Sequence, residues 1–341
     1  MSGTVSNYLA VDPALETNRL GELAVRMMMR AAMLGGLRNR LSILIYHRVL
    51  PQTDPLFPEQ IDAQRFDRQI AHLRTCFNVI PLGEAVRGLQ SGRLPARAAC
   101  ITFDDGYADN EEIALPILQK HGVSATFFIA TGFLNGKRMW NDTVIDTVRH
   151  APGDLLDLHD VGYGSYSIAS AHARRQAIDA LLDKLKYLAM DERQQQVDAL
   201  WARLGREAPQ DLMMTTAQVR ALHAAGMEVG GHTVNHPILA RVDATAAAKE
   251  IGSGKETLEA MIGAPVRLFA YPNGGPGRDY LAAHVALVKQ MGFDAAVSTS
   301  WGCASPRSDL FQLPRFTPWD RTPGRFALRM AQNLYRNGTT V

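Results

Sequence analysis

The chain has 341 residues, 46% of them hydrophobic and 21% charged, with 36 Lys and Arg against 34 Asp and Glu for a formal charge of +2. This is the composition of an ordinary globular protein with ample length for a core, and it excludes a basic nucleic-acid binder, since no aromatic-interleaved basic stretch accompanies the small charge. Cys76, Cys100 and Cys303 are too few and too scattered for a disulfide framework or a thiolate metal site, so buried reduced thiols are expected.

Residues 20–37 carry Leu, Val, Met and Ala interrupted by Arg26 and Arg30, which is the pattern of neither a signal peptide nor a spanning helix. They predict an amphipathic helix within an amino-terminal segment, 1–40. The apolar run Leu41–Tyr46 suits a buried strand and delivers His47 to its carboxyl end. Residues 66–73 have helical spacing, 77–80 read as a strand and 82–89 as a short helix. A second apolar run, Ala98–Phe103, ends in Asp104-Asp105-Gly106, followed by a helix over 111–121 and a strand over 125–130.

Successive side chains leave a strand in opposite directions, so at this bend one carboxylate can hold a metal while the other handles a proton. Residues 135–214 then interrupt the alternation with helical stretches at 173–187 and 191–204, and read as a helical insertion capping the fold. Trp140 and Asp142 open it near a strand end, where they can face a ligand or pack on the cap.

Alternation resumes with a capping box, Thr215 and Gln218, opening a helix to 225. A strand over 227–230 then presents His232 and His236, four residues apart and beside Gly230 and Gly231. Two imidazoles and one carboxylate with open positions make a known catalytic zinc geometry. Helices over 244–261 and 278–291 alternate with strands over 266–271, 294–299 and 311–315. Arg321, Arg325, Arg329 and Arg336 among apolar residues predict a basic carboxyl-terminal helix, 321–341, that lies on an anionic bilayer or packs on its own barrel. About eight strands alternating with helices argue for a parallel α/β architecture. His47, Asp104, Asp105, His232, Tyr271 and Arg315 all fall at or just past strand ends, which supports one shared site.

The Asp104-Asp105 and His232, His236 motifs, in this order and each after an apolar strand, resemble those of the polysaccharide deacetylase family, the NodB-homology carbohydrate esterases, over residues 41–316. The resemblance implies a distorted (β/α) barrel across 41–320 with the helical insertion. It implies Asp104 as catalytic base, and Asp105, His232 and His236 as ligands of a divalent ion, zinc first, with nickel, cobalt or manganese as alternatives.

Two motifs depart from the family pattern. Where members commonly have an Arg that tethers the catalytic Asp, this chain has Ala270, followed by Tyr271-Pro272-Asn273. By analogy Asn273 supplies the oxyanion N–H, and Tyr271 is expected beside it against substrate. Where many members have Leu-x-His with the His as general acid, this chain has Leu313-Pro314-Arg315. Arg315 is therefore expected to reach Asp104 as a replacement tether, and His47 to serve as acid. The Tyr46-His47-Arg48 element resembles that of the subgroup acting on exopolysaccharides containing N-acetylglucosamine.

The implied function is a metal-dependent hydrolase removing N-acetyl groups from a bacterial exopolysaccharide or cell-envelope glycan. The alternatives are a deformylase or deacetylase of a lipid-linked amino sugar, and a glycan-binding relative without turnover. The expected location is the cytoplasm, with peripheral contact at the inner membrane face through the basic terminal helices.

Overall fold

The computed structural model describes residues 39–318, 320 and 322–341. The expected amino-terminal helix lies outside the described residues, as do Trp319 and Arg321.

The fold is built on short strands with both faces covered. β1 (Leu41–Tyr46) and β3 (Ala98–Phe103) are buried at every position and pair in parallel from Leu41↔Ala98 to Tyr46↔Phe103. Burial on both faces is why they read as continuous apolar runs rather than alternating ones. Between them, α1 (Ala63–Cys76) starts where the Asp62 side chain accepts the Arg65 N–H, and it buries Phe66, Ile70 and Leu73 at helical spacing. β2 (Asn78–Val79) pairs with the first two residues of β3, and α2 (Leu82–Ser91) follows.

β4 (Thr126–Ile129) pairs only with the last residues of β3, Thr102 and Phe103, so β2 and β4 share one flank of that strand. Then come β7 (Glu228–Gly231), β8 (Leu268–Ala270), β9 (Ala295–Trp301) and β10 (Leu313–Arg315). The sheet order is β1-β3-β4-β7-β8-β9-β10, parallel throughout. Phe316, one residue past β10, closes the ring: its N–H donates to Ile43 at 2.7 Å and its carbonyl accepts from Ile45 at 3.0 Å. The result is a nearly closed parallel barrel flanked by α3 (Leu115–His121), α7 (Thr216–Ala224), α8 (Ala244–Ile262) and α9 (Ala282–Gln290). The expected capping box of Thr215 and Gln218 is present at the start of α7. All three cysteines are free and buried.

The insertion has a core of its own, with Val144, Val148, Ile178, Leu181, Leu185 and Val197 together. It comprises α4 (Trp140–His150), α5 (Ala171–Leu185) and α6 (Met190–Ala202) and, beyond the expected helices, an antiparallel hairpin of β5 (Leu155–Leu158) and β6 (Gly164–Ser167). Four-residue strands with one apolar alternation each carry too little periodicity to stand out in sequence. Several other boundaries differ from expectation. The helix expected from 278 starts at Ala282, and the strand expected from 311 starts at Leu313, because Asp309 accepts the Phe311 N–H and folds Leu310–Gln312 into a 3-10 turn.

The basic carboxyl-terminal stretch forms α10 (Pro323–Asn333), which buries Phe326, Met330 and Leu334 in the main core and packs on α1. Arg325, Leu328 and Tyr335 remain exposed. Among the described residues no helix is long and apolar enough to cross a membrane.

Candidate active site

The first motif turns sharply where β3 ends. The Asp104 N–H donates to the Tyr46 carbonyl, continuing the ladder, and then Asp105 adopts φ 78° and Gly106 φ 93°. A non-glycine residue in the left-handed region is strained, and such strain is kept where it aims a side chain. Asp104 and Asp105 consequently face different partners.

Asp105 faces the histidines. Its Oδ1 lies 3.4 Å from Nε2 of both His232 and His236. The loop after β7 that carries them is pinned from α8, where Glu250 accepts the N–H groups of Val234 and Asn235 at 3.0 and 2.7 Å. Gly230 is needed just before it, because a Cβ there would sit 2.4 Å from the Phe128 ring. His232 Nδ1 lies 2.8 Å from the Ala270 carbonyl, which can only accept, so Nδ1 holds the proton and Nε2 offers its lone pair toward Asp105.

These three residues fit a divalent ion. Asp105 Oδ1 is buried without a hydrogen-bond donor, and the three candidate ligand atoms lie within 4.8 Å of one another. Tetrahedral ligands at about 2.0–2.1 Å from one ion stand roughly 3.4 Å apart, and two imidazole nitrogens with a carboxylate suit zinc. Burial pushes the Asp105 carboxyl up, but the neighbouring His232, His236 and His47 outweigh it and hold the group well below the usual carboxylate range. Burial lowers His236 to about 4, so its ring is neutral at pH 7. His232 is raised, because Asp105 and Asp104 outweigh its burial.

Asp104 faces across the barrel. Arg315, 1% exposed, clamps it with Nη1 on Oδ1 and Nη2 on Oδ2, both at 2.7 Å. The guanidinium is itself fixed by the Ser298 carbonyl, which accepts from Nε at 2.9 Å, and by the Thr102 hydroxyl at 3.2 Å from Nη1. Burial would raise the Asp104 carboxyl; Arg315 and the neighbouring His232 more than offset it, and the group is lowered.

A cavity of about 230 Å³ adjoins Asp105, lined also by His47, Tyr107 and Asp142 among others. His47 is exposed, and its carbonyl accepts from the Asn110 amide at 2.9 Å. Asn273 has φ 58°, its carbonyl accepts from the Thr299 hydroxyl at 2.7 Å, and its N–H has no acceptor among the described residues.

Three of the expected substrate contacts, Asn273, Tyr271 and Trp140, do not line this cavity. Tyr271 is fully buried, stacked on Tyr280 at 3.9 Å, and its hydroxyl donates to the Phe311 carbonyl. Trp140 packs against the insertion's own core with Arg193 at 4.8 Å over its ring. Both are large rings that a core absorbs more readily than a polar rim does. Sequence reasoning missed Asp109, which takes the Arg48 Nε at 2.8 Å and the Val49 N–H at 3.1 Å and so fixes the chain just after His47. Its one signal was its place four residues after Asp105.

The polysaccharide deacetylase family model matches residues 91–296. The chain belongs to that family. The chain is 32% identical to YxkH of Bacillus subtilis (strain 168) over 92 residues, and the match spans 32% of that protein's length and 26% of this chain. Its fold is similar to that of the Streptococcus pyogenes deacetylase PplD in complex with acetate, with a TM-score of 0.58 and 19% identity, covering 87% of this chain and 99% of PplD. It is similar also to IcaB from Ammonifex degensii, with a TM-score of 0.53 and 19% identity over 87% of this chain and 97% of IcaB.

Proposed function

We propose that this deacetylase removes N-acetyl groups from N-acetylated amino sugars of a bacterial exopolysaccharide or cell-envelope glycan, using a divalent ion, zinc first among the candidates. The observation that carries the reading is the bidentate Arg315 clamp on Asp104 beside the Asp105, His232, His236 cluster. A glycan-binding relative without turnover has no use for a carboxylate kept ionised next to a metal site. Family membership, and a fold shared with proteins that are named deacetylases, support the same class of reaction.

Amide hydrolysis at neutral pH needs a better nucleophile than water and a better leaving group than an amine. Asp105, His232 and His236 would hold the ion, which when bound polarises a carbonyl and acidifies water. Asp104 takes the proton of the attacking water as general base. As the water oxygen bonds to the acyl carbon, the Asn273 N–H donates to the developing oxyanion. His47 then protonates the sugar nitrogen as the C–N bond breaks, giving acetate and a free amine.

The family's tethering Arg is absent at Ala270, and Arg315 performs its task from the last strand. The proposed place of action is the cytoplasm or the inner membrane face. The exposed Arg325, Leu328 and Tyr335 on and beside α10 support peripheral contact with anionic lipid.

The test is acetate release from short N-acetylglucosamine oligomers, with metal content measured alongside, in the wild type and Asp104→Asn. Acetate from the wild type alone, with metal in both, supports the reaction and its base together. Metal in both without acetate from either would move the reaction to formylated or lipid-linked substrates, and metal in neither would refute the mechanism.

A further inference from the structure

The insertion is sewn to the turn that carries the paired aspartates. The Met214 N–H donates to the Gly106 carbonyl at 3.0 Å, the Ala108 N–H to Leu212 at 2.9 Å, and the Asn135 N–H to Met214 at 3.1 Å. With its two ends fixed there, α4 brings Asn141 and Asp142 to the same cavity that His47 and Asp105 line. Asp142 is 6% exposed and accepts from the Tyr107 hydroxyl at 3.1 Å, with no ion pair among the described residues. The Oδ1 of Asn141 is buried without a donor.

Buried acceptors with unused capacity are rare and call for donors. The cations of the cavity are already engaged, Arg48 on Asp109 at 2.8 Å and Arg149 on Asp54 at 2.6 Å. Among the described residues Asp142 is the one carboxylate of the wall left with neither an ion pair nor a place in the metal cluster, so a ligand carboxylate set against it would meet a like charge with neither guanidinium free to receive it. A cavity below the roughly 300–1,000 Å³ of pockets for drug-sized ligands takes one ring, and the rest of any chain stays outside.

We propose that Asn141 and Asp142 form a subsite for the hydroxyl groups of one uncharged sugar ring. The insertion thereby sets the substrate class: N-acetylated hexosamines without a charged substituent are accepted, and those bearing a carboxylate are rejected. This rests on the deacetylase reading above. Burial raises the Asp142 carboxyl to about 7 against the opposing pull of Arg48 and Tyr107, so near neutrality it can accept from one hydroxyl and donate to another.

The experiment compares kcat and KM for acetate release from N-acetylglucosamine oligomers and from oligomers containing N-acetylmuramic acid, whose lactyl group carries a carboxylate. The wild type should prefer the neutral oligomer. Asp142→Asn should lose about tenfold or more in kcat/KM on it, mainly through KM, and should narrow the preference. Tyr107→Phe, which removes the hydroxyl that holds Asp142 and keeps the carboxyl group itself, should raise KM less than Asp142→Asn does. A preference unaltered by Asp142→Asn, or a wild type that favours the carboxylated oligomer, overturns the subsite. If the wild type releases acetate from neither oligomer, the deacetylase reading fails for these glycans, and calorimetric binding of the neutral oligomer decides the subsite separately. Binding lost in Asp142→Asn supports it; binding that is absent or unaffected refutes it.

Discussion

Replacing Arg315 with Met removes a guanidinium that makes two 2.7 Å bonds to Asp104 and leaves the rest of its volume filled. Asp104 is 2% exposed, so the carboxylate loses its counter-ion while keeping its burial. Stranding one member of a buried pair costs about 3–5 kcal/mol, and that loss should register as a lower denaturant midpoint. The same change acts on the base. In the wild type Asp104 is held below its ordinary range, and with Arg315 gone the uncompensated burial raises it. Turnover needs the ionised form, so the acid limb of the pH–rate profile should move to higher pH, with about tenfold lost for each pH unit by which the limb passes the assay pH. Arg315→Lys, which keeps the charge and loses the two-pronged geometry, should fall between. The assay is acetate release across the pH range at constant ionic strength. A limb at the wild-type pH, with a uniform loss at every pH, would refute the idea that Arg315 tunes the base and leave it a folding residue. Stability has its own sign: because the folded value of Asp104 lies below the unfolded one, the pair stabilises fully above about pH 4 and is lost as pH falls through the folded value.

Further outcomes follow from the same geometry. His47→Asn should cut turnover far more than metal content, whereas equal loss of both would make His47 a ligand or a folding residue. Chelation should lower the melting temperature, and zinc at about 100 times its dissociation constant should restore roughly 2.7 kcal/mol. His236→Ala should abolish that zinc-dependent gain. Metal uptake measured against pH should weaken on acidification as His232, raised by the neighbouring aspartates, takes a proton before His236, whose value is about 4. An uptake curve flat down to pH 4 would refute the assignment of His232 as a ligand.

Much of the barrel was legible because its strands are buried on both faces and therefore read as unbroken apolar runs; Ala98–Phe103 matches its expected bounds at both ends. The capping box of Thr215 and Gln218 was legible for a different reason, since three residues decide it locally. The β5–β6 hairpin was not, because strands this short become stable only against the insertion's own helices.

For the site, local order could nominate residues but could not orient them. The Asp-Asp-Gly turn and the His pair carry their chemistry within a few residues, so the sequence alone determined that carboxylates and imidazoles stand at strand ends. Tyr271 also stands at a strand end, yet its ring turns inward onto Tyr280 and its hydroxyl is taken by Phe311. Only the closed barrel decided that Arg315, 211 positions from Asp104, would clamp it, and that Asp142 would hang from Tyr107 beside Asp105. The physical reason is separation along the chain. Strand and turn propensities act over a few residues, whereas a charge pair across the barrel exists only once the sheet has brought its first and last strands together.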